Sequence, residues 1–107
     1  MASNYKNAKV DLTSTSATTL YTAPSSTTAI VKSILVSEDS GNADTITLTL
    51  TNSASAVFSL FKVKAVGANT TIELLTGPLV VEESEVLKIT AATANRLHVT
   101  ASLLEIS

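Results

Sequence analysis

The sequence predicts an all-β protein: a single-domain antiparallel β-sandwich of jelly-roll-like form with eight or nine short strands. Apolar and polar residues alternate with a period of two, as they do along half-buried strands. Turn-forming residues separate the apolar segments at intervals of about ten residues, a spacing typical of sandwiches rather than of β–α units. The chain has 107 residues, so residues 1–107 are expected to share one core.

The clearest strand is the segment 44–51. Ile46, Leu48 and Leu50 fall on one face, and four threonines fall on the other. Successive side chains of a strand point to opposite faces, so this pattern predicts a half-buried strand. Threonine suits the outer face because its branched Cβ favours the pleat while its hydroxyl meets water.

Other short apolar runs predict the remaining strands. In chain order they are 10–12, 19–22, 29–37, 56–66, 71–75, 79–81, 86–91 and 97–106. The segment 29–37 is apolar on both faces, which predicts a central strand covered on both sides. Within 56–66, alternation places Phe61 and Val63 on one face. Residues 1–28, which are rich in serine and threonine, form the first short strands or an N-terminal arm.

The last predicted strand changes its pattern near its end. Apolar residues alternate with polar ones up to Leu103, yet Leu104 and Ile106 fall on the polar face. Either a β-bulge shifts the register there or these two side chains face another surface. Together with Tyr5 and Tyr21, Leu104 and Ile106 are the candidate interface residues.

Composition excludes several classes of protein. A net charge of −2 and a pI near 5.2 argue against binding to nucleic acid through its phosphates. The longest apolar runs are far shorter than the roughly 20 residues of a membrane-spanning helix, so no membrane partner is expected. The polar surface is supplied mainly by 17 threonines and 14 serines, and the mean hydropathy of +0.35 is that of a folded chain.

No catalytic residue is predicted. His98, the one histidine, lies on a polar strand face without an identifiable nucleophile, because serine and threonine are too abundant for any to stand out. The sequence has no cysteine, and therefore neither a disulfide nor a thiolate metal site.

The acidic residues do not predict a metal site or a cofactor. Glu82, Glu83 and Glu85 indicate a solvated turn between two strands. A second acidic group surrounds Gly41, but it lacks the residue order of a calcium loop and is better explained as a hairpin turn. Its members are Glu38, Asp39 and Asp44.

Several segments resemble a known class of proteins. They are the motif TLYTAP at 19–24 and the stretches 28–36, 77–81, 85–91, 94–102 and 104–106. Together they are similar to small β-sandwich structural proteins of tailed bacteriophage virions, of the head decoration (cement) or neck–tail accessory type. Such proteins usually have Gly-Asp before the LKITA strand, where this chain has Ser84 and Glu85.

The resemblance implies a non-enzymatic virion structural protein, located in the virion and bound to phage capsid or other virion proteins. The first expectation is a capsid decoration protein that docks through apolar strand faces and an N-terminal arm. It is expected to form a homo-oligomer, with a trimer as the first choice. The alternatives are a neck, tail or fibre component of the virion, or a carbohydrate-binding host-recognition module.

Overall fold

Nine β-strands and no helix make up residues 3–107, the part of the chain that the computed structural model describes; Met1 and Ala2 lie outside it. The strands are β1 (Ser3–Asp11), β2 (Thr18–Thr22), β3 (Thr28–Glu38), β4 (Asp44–Thr51), β5 (Val57–Val66), β6 (Thr71–Glu73), β7 (Leu79–Val81), β8 (Val86–Ala91) and β9 (Leu97–Ile106). The predicted all-β class is confirmed. Across the same residues, no helix is long and apolar enough to cross a lipid bilayer.

The strands form two antiparallel sheets. Sheet A has the order β1-β9-β3-β6, with β7 also paired to β3, and sheet B has the order β2-β8-β4-β5. When β6 and β7 are counted as two halves of one interrupted strand, the orders become 1-8-3-6 and 2-7-4-5. That topology is a jelly roll of two Greek keys, as the sequence predicted.

The core lies between the two sheets and is aliphatic. Its largest fully buried side chains include Leu12, Ile34, Ile46, Leu48, Leu87, Ile89, Leu97 and Leu103. Each such side chain stabilises the fold by about 1.5–3 kcal/mol relative to an exposed position. Strand β4 follows its prediction, with Ile46 and Leu48 buried and its threonines pointing outward.

Strand β3 contains a β-bulge that the sequence analysis did not anticipate. Val31 pairs with Leu103 and Ser33 pairs with Ser102, so Lys32 is an extra residue with no partner on β9. Val31 and Ile34 therefore both point inward although they are three residues apart. The prediction that this strand is covered on both sides is wrong, because Leu35 on the outer face is 42% exposed.

The N-terminal segment contributes a strand to each sheet. Strand β1 pairs with β9 over its whole length, from Ser3 opposite Ile106 to Asp11 opposite His98. Strand β2 pairs with β8 in sheet B, and Leu12 between the two strands is fully buried. Strand β1 thus begins at Ser3, seven residues before the predicted strand 10–12, and it forms an edge of sheet A.

Strand β5 is irregular, so the predicted alternation along it is wrong. Its pairing with β4 shifts register on both sides of Leu48. Val63 has a positive φ of 55°, and its backbone N–H donates to the hydroxyl of Thr47 at 3.1 Å. As a result Phe61 is half-buried whereas Val63 is 61% exposed.

Candidate interaction surface

The end of β9 shows which of the two explanations for Leu104 and Ile106 is correct. Strand β9 pairs with β1 without any register shift, so its side chains keep alternating to the end. The bulge lies instead in β3, at Lys32. Leu103 and Glu105 consequently point into the sandwich, and Leu104 and Ile106 lie on the outer face of sheet A.

A continuous row of apolar side chains crosses that outer face. Directly opposed residues of β1, β9, β3 and β7 form it: Tyr5, Leu104, Ile30 and Val80, called the apolar row below. Tyr5 is 76% exposed and Val80 is 52% exposed, while the two central residues are half-buried. The structure therefore brings together two of the predicted interface residues, Tyr5 and Leu104, and places Ile106 two residues further along the same face.

Lys32 borders the apolar row. Its Nζ lies 5.6 Å from the centroid of the Tyr5 ring, within the range of a cation–π contact. A shallow hollow of about 450 Å³ adjoins it, lined by Ile30, Lys32, Leu104 and the loop 75–78. Sequence reasoning missed Ile30, Val80 and Lys32, because only the observed strand pairing shows that they share a face with Tyr5.

Tyr21, the fourth predicted interface residue, lies inside the sandwich. It is 9% exposed, and its hydroxyl donates a hydrogen bond to Glu105 Oε2 at 2.5 Å. Lys6 Nζ lies 3.4 Å from the other carboxylate oxygen of Glu105. Burial, together with the neighbouring carboxylate, raises the pKa of Tyr21. Tyr21 thus offers little surface to a partner, and it links sheet B to β9 through Glu105.

A second group of exposed apolar side chains lies on β5. Val57, Phe58 and Val63 are each more than half exposed. They occupy the edge strand of sheet B, away from the apolar row. Because β5 is interrupted by two register shifts, these side chains do not form one flat face.

His98 lies between two carboxylates at one end of sheet A. Its Nε2 is 3.2 Å from Asp11 Oδ1, and its Nδ1 is 3.5 Å from Asp39 Oδ2. All three side chains are largely exposed. The arrangement joins β1, β9 and the β3–β4 turn.

Glu38 is the one buried glutamate of residues 3–107, and its carboxylate organises two loops. It accepts hydrogen bonds from the backbone N–H groups of Ser40 (2.9 Å), Gly41 (3.1 Å) and Asn69 (3.0 Å), and from the Ser40 hydroxyl. Burial acts to raise the pKa of Glu38, but these hydrogen bonds outweigh it and lower the pKa to about 2. The carboxylate oxygens are therefore occupied in fixing the backbone.

Other acidic side chains also accept hydrogen bonds from backbone N–H groups. Asp44 accepts a hydrogen bond from Thr93 N–H at 3.1 Å. Glu85 accepts one from Glu82 N–H at 2.8 Å, which closes the turn between β7 and β8, and Ser84 in that turn has a positive φ of 66°. Among residues 3–107, no group of three or more His, Cys, Asp or Glu side chains is arranged so that it could hold a metal ion.

Comparison with known proteins gives similarity at the level of fold. No protein-family model matches the chain, and no curated protein matches it. The fold is similar to that of a chain from Bacillus endospore appendages, described as a novel family of disulfide-linked pili. The TM-score is 0.54 at 12% identity, and the match covers 96% of this chain and 85% of that one. A chain in the structure of infectious bursal disease virus Gt strain matches with a TM-score of 0.48 at 11% identity, over 98% of this chain and 30% of that one.

Proposed function

We propose that this chain is a non-enzymatic structural subunit that works by docking on neighbouring protein subunits through the outer face of sheet A. The observation that carries the proposal is the apolar row, which runs across four strands and leaves Tyr5 and Val80 more than half exposed. The core between the sheets is already filled by other side chains. Covering the row with a partner gains about 25 cal/mol for each Å² of apolar surface removed from water.

The fold similarity supports the broader class of assembly subunits. The Bacillus appendage chain belongs to a pilus whose family is described as disulfide-linked. The present chain has no cysteine, so disulfide bonds cannot link copies of it. Symmetric copies then turn individually weak contacts into firm attachment through high effective concentration.

Within this class, the resemblance of the segments from 19 to 106 favours a bacteriophage virion protein. Our first choice is a capsid decoration protein bound to the phage capsid as a homo-oligomer, with a trimer as the simplest arrangement. Tyr5, Leu104 and Ile106 are the proposed contact residues, and Tyr21 supports them from inside the sandwich by holding Glu105. A neck, tail or fibre position uses the same surface.

A pair of matched variants tests the docking surface. Val80→Asp places a charge in the apolar row, and Val57→Asp places the same charge at a similarly exposed apolar position on β5. Light scattering on the purified proteins is expected to show an oligomer for the wild type and for Val57→Asp, and a smaller species for Val80→Asp. Equal masses for the two variants would refute the assignment of this surface.

A ligand titration separates the assembly function from the carbohydrate-binding alternative. The wild-type chain is melted in the presence of a panel of common monosaccharides. The assembly function predicts an unchanged melting temperature with every sugar. A monomer whose melting temperature rises with the concentration of one sugar would favour the host-recognition module instead.

A further inference from the structure

We propose that two copies of this chain join edge to edge through β1. The strands pair antiparallel about a two-fold axis at Asn7, so that two A sheets become one continuous sheet. This inference rests on the proposed function, since it names a partner and a contact for the assembly subunit. Where the outer face of sheet A holds three copies together, the β1 contact joins two such trimers into a hexamer.

Strand β1 is the most regular open edge among the described strands. It spans nine residues, and its pairing with β9 has no register shift. The edge strand β2 has five residues and one shift, and β5 has two shifts. Strands β6 and β7 have three residues each. A strand that pairs with all of β1 must be equally long and unbroken. Among the strands of residues 3–107, only a second β1 combines that length with an open edge.

The hydrogen bonds to β9 show which backbone groups of β1 are free. The Leu12 N–H donates to the carbonyl of the opposed Leu97 at 3.0 Å, so the even-numbered residues of β1 are those that form hydrogen-bonded pairs with β9. Such pairs alternate along antiparallel strands, so the odd-numbered residues of β1 direct their N–H and C=O groups towards the open edge. These residues are Ser3, Tyr5, Asn7, Lys9 and Asp11.

Full overlap of two β1 strands pairs these odd residues with one another. Asn7 then faces Asn7 of the second copy, Tyr5 faces Lys9, and Ser3 faces Asp11. Five pairs that each exchange two hydrogen bonds give about ten bonds between the copies. Any shift of register shortens the overlap and leaves odd residues at the ends without partners.

Side-chain charges also fit this register. Lys9 of each copy faces the ring of Tyr5, which is already in cation–π contact with Lys32. No two like charges are directly opposed, which matters because opposed like charges destabilise a strand pair. Lysines commonly protect open edges from pairing, but Lys6 is matched by Glu105 at 3.4 Å and faces Ala8 in the second copy.

A single-cysteine crosslink tests the two-fold axis. The chain has no cysteine, so Asn7→Cys introduces one thiol that lies opposite its own copy. Hydrogen-bonded pairs have Cα atoms about 5.5 Å apart, within the range that a disulfide spans. In the control Lys9→Cys, the two thiols are separated by four residues along the strand, or about 14 Å. Mild oxidation is expected to give a covalent dimer for Asn7→Cys and none for Lys9→Cys.

A backbone variant supplies the second measurement. Asn7→Pro removes an N–H that faces the open edge, where proline is tolerated, whereas Asn7→Ala removes the same side chain and keeps the N–H. Light scattering is expected to show that Asn7→Pro halves the wild-type mass and that Asn7→Ala does not. Circular dichroism checks that both variants are folded.

The possible failures are distinguishable. A wild-type oligomer whose mass Asn7→Pro leaves unchanged, or a folded Asn7→Cys protein that does not crosslink, overturns the β1 contact and leaves the proposed function standing. A wild-type chain that is monomeric at every concentration overturns both the β1 contact and the homo-oligomer of the proposed function. If Asn7→Pro does not fold, the crosslinking of Asn7→Cys alone tests the β1 contact.

Discussion

Deleting a single residue from β3 distinguishes the bulge from the regular part of the strand. Lys32 has no partner on β9, so deletion of Lys32 (ΔLys32) joins Val31 to Ser33 and restores a regular alternation in which Val31 and Ile34 still point inward. Deletion of Leu35 (ΔLeu35) removes a paired residue whose side chain is 42% exposed. ΔLeu35 moves every side chain of β3 on one side of the deletion to the opposite face of the sheet.

The two deletions are expected to lower the free energy of unfolding by very different amounts. ΔLys32 loses the cation–π contact with Tyr5, about 0.5–1 kcal/mol at an exposed site. ΔLeu35 can reverse either the part of β3 before the deletion or the shorter part after it. Reversing the shorter part is the milder outcome, and it moves Val36 out of the core and Ser37 into it. The lost apolar burial and the buried hydroxyl together cost about 3–6 kcal/mol. That is a large part of the roughly 5–15 kcal/mol by which a domain is stable.

Urea unfolding followed by circular dichroism measures the difference. ΔLys32 is expected to unfold cooperatively at a midpoint close to that of the wild type, and ΔLeu35 is expected to be unfolded or to have a much lower midpoint. Lys32→Ala and Leu35→Ala serve as controls, because each removes the side chain and keeps the register. If ΔLys32 loses as much stability as ΔLeu35, the assignment of the bulge is wrong.

Three further predictions concern the interior. Glu38→Gln replaces an acceptor of four hydrogen bonds and is expected to lower the melting temperature at neutral pH. Because the pKa of Glu38 falls from 4.5 to about 2 on folding, its contribution is complete above about pH 4.5 and disappears as the pH falls towards 2. Thermal melts should therefore converge for wild type and Glu38→Gln in acid, and a constant difference would contradict this. Tyr21→Phe removes the hydrogen bond to Glu105 and is expected to cost about 1 kcal/mol in urea unfolding. Because folding raises the pKa of Tyr21, the free energy of unfolding of the wild type should fall as the pH rises above about 10. Tyr21→Phe has no phenol at this position, so its free energy of unfolding should fall less over the same pH range. Leu48→Ala empties a fully buried position and is expected to cost about 2–5 kcal/mol, whereas Val57→Ala at an exposed position should change stability by less than about 0.5 kcal/mol.

Much of the fold could be predicted because the alternation of apolar and polar residues along a strand indicates which side chains are buried. Strand β4 shows this best, since Ile46 and Leu48 are buried and the threonines between them point outward. Strand β1 was recognised only at its C-terminal end. Most of its residues are polar and exposed, and what holds it in place is backbone pairing with β9, which leaves little trace in the sequence.

The candidate surface could be predicted only in part. The break in alternation marked Leu104 and Ile106 as candidate interface residues but left a β-bulge as the other explanation. Their neighbours Ile30 and Val80 come from other strands, which the topology places alongside β9. The bulge at Lys32 also concealed the faces of β3, because one unpaired residue reverses the alternation that follows it. Tyr21 could not be told from Tyr5 by sequence, since the distinction depends on the contact between Tyr21 and Glu105 across the two sheets.

The mass of the wild-type chain in solution tests the central proposal most directly. Sedimentation equilibrium of the purified protein, from micromolar to near-millimolar concentration, is expected to give a mass that rises to a whole-number multiple of 11.1 kDa. A mass that remains at 11.1 kDa over the entire range would contradict a protein that acts by assembling with copies of itself.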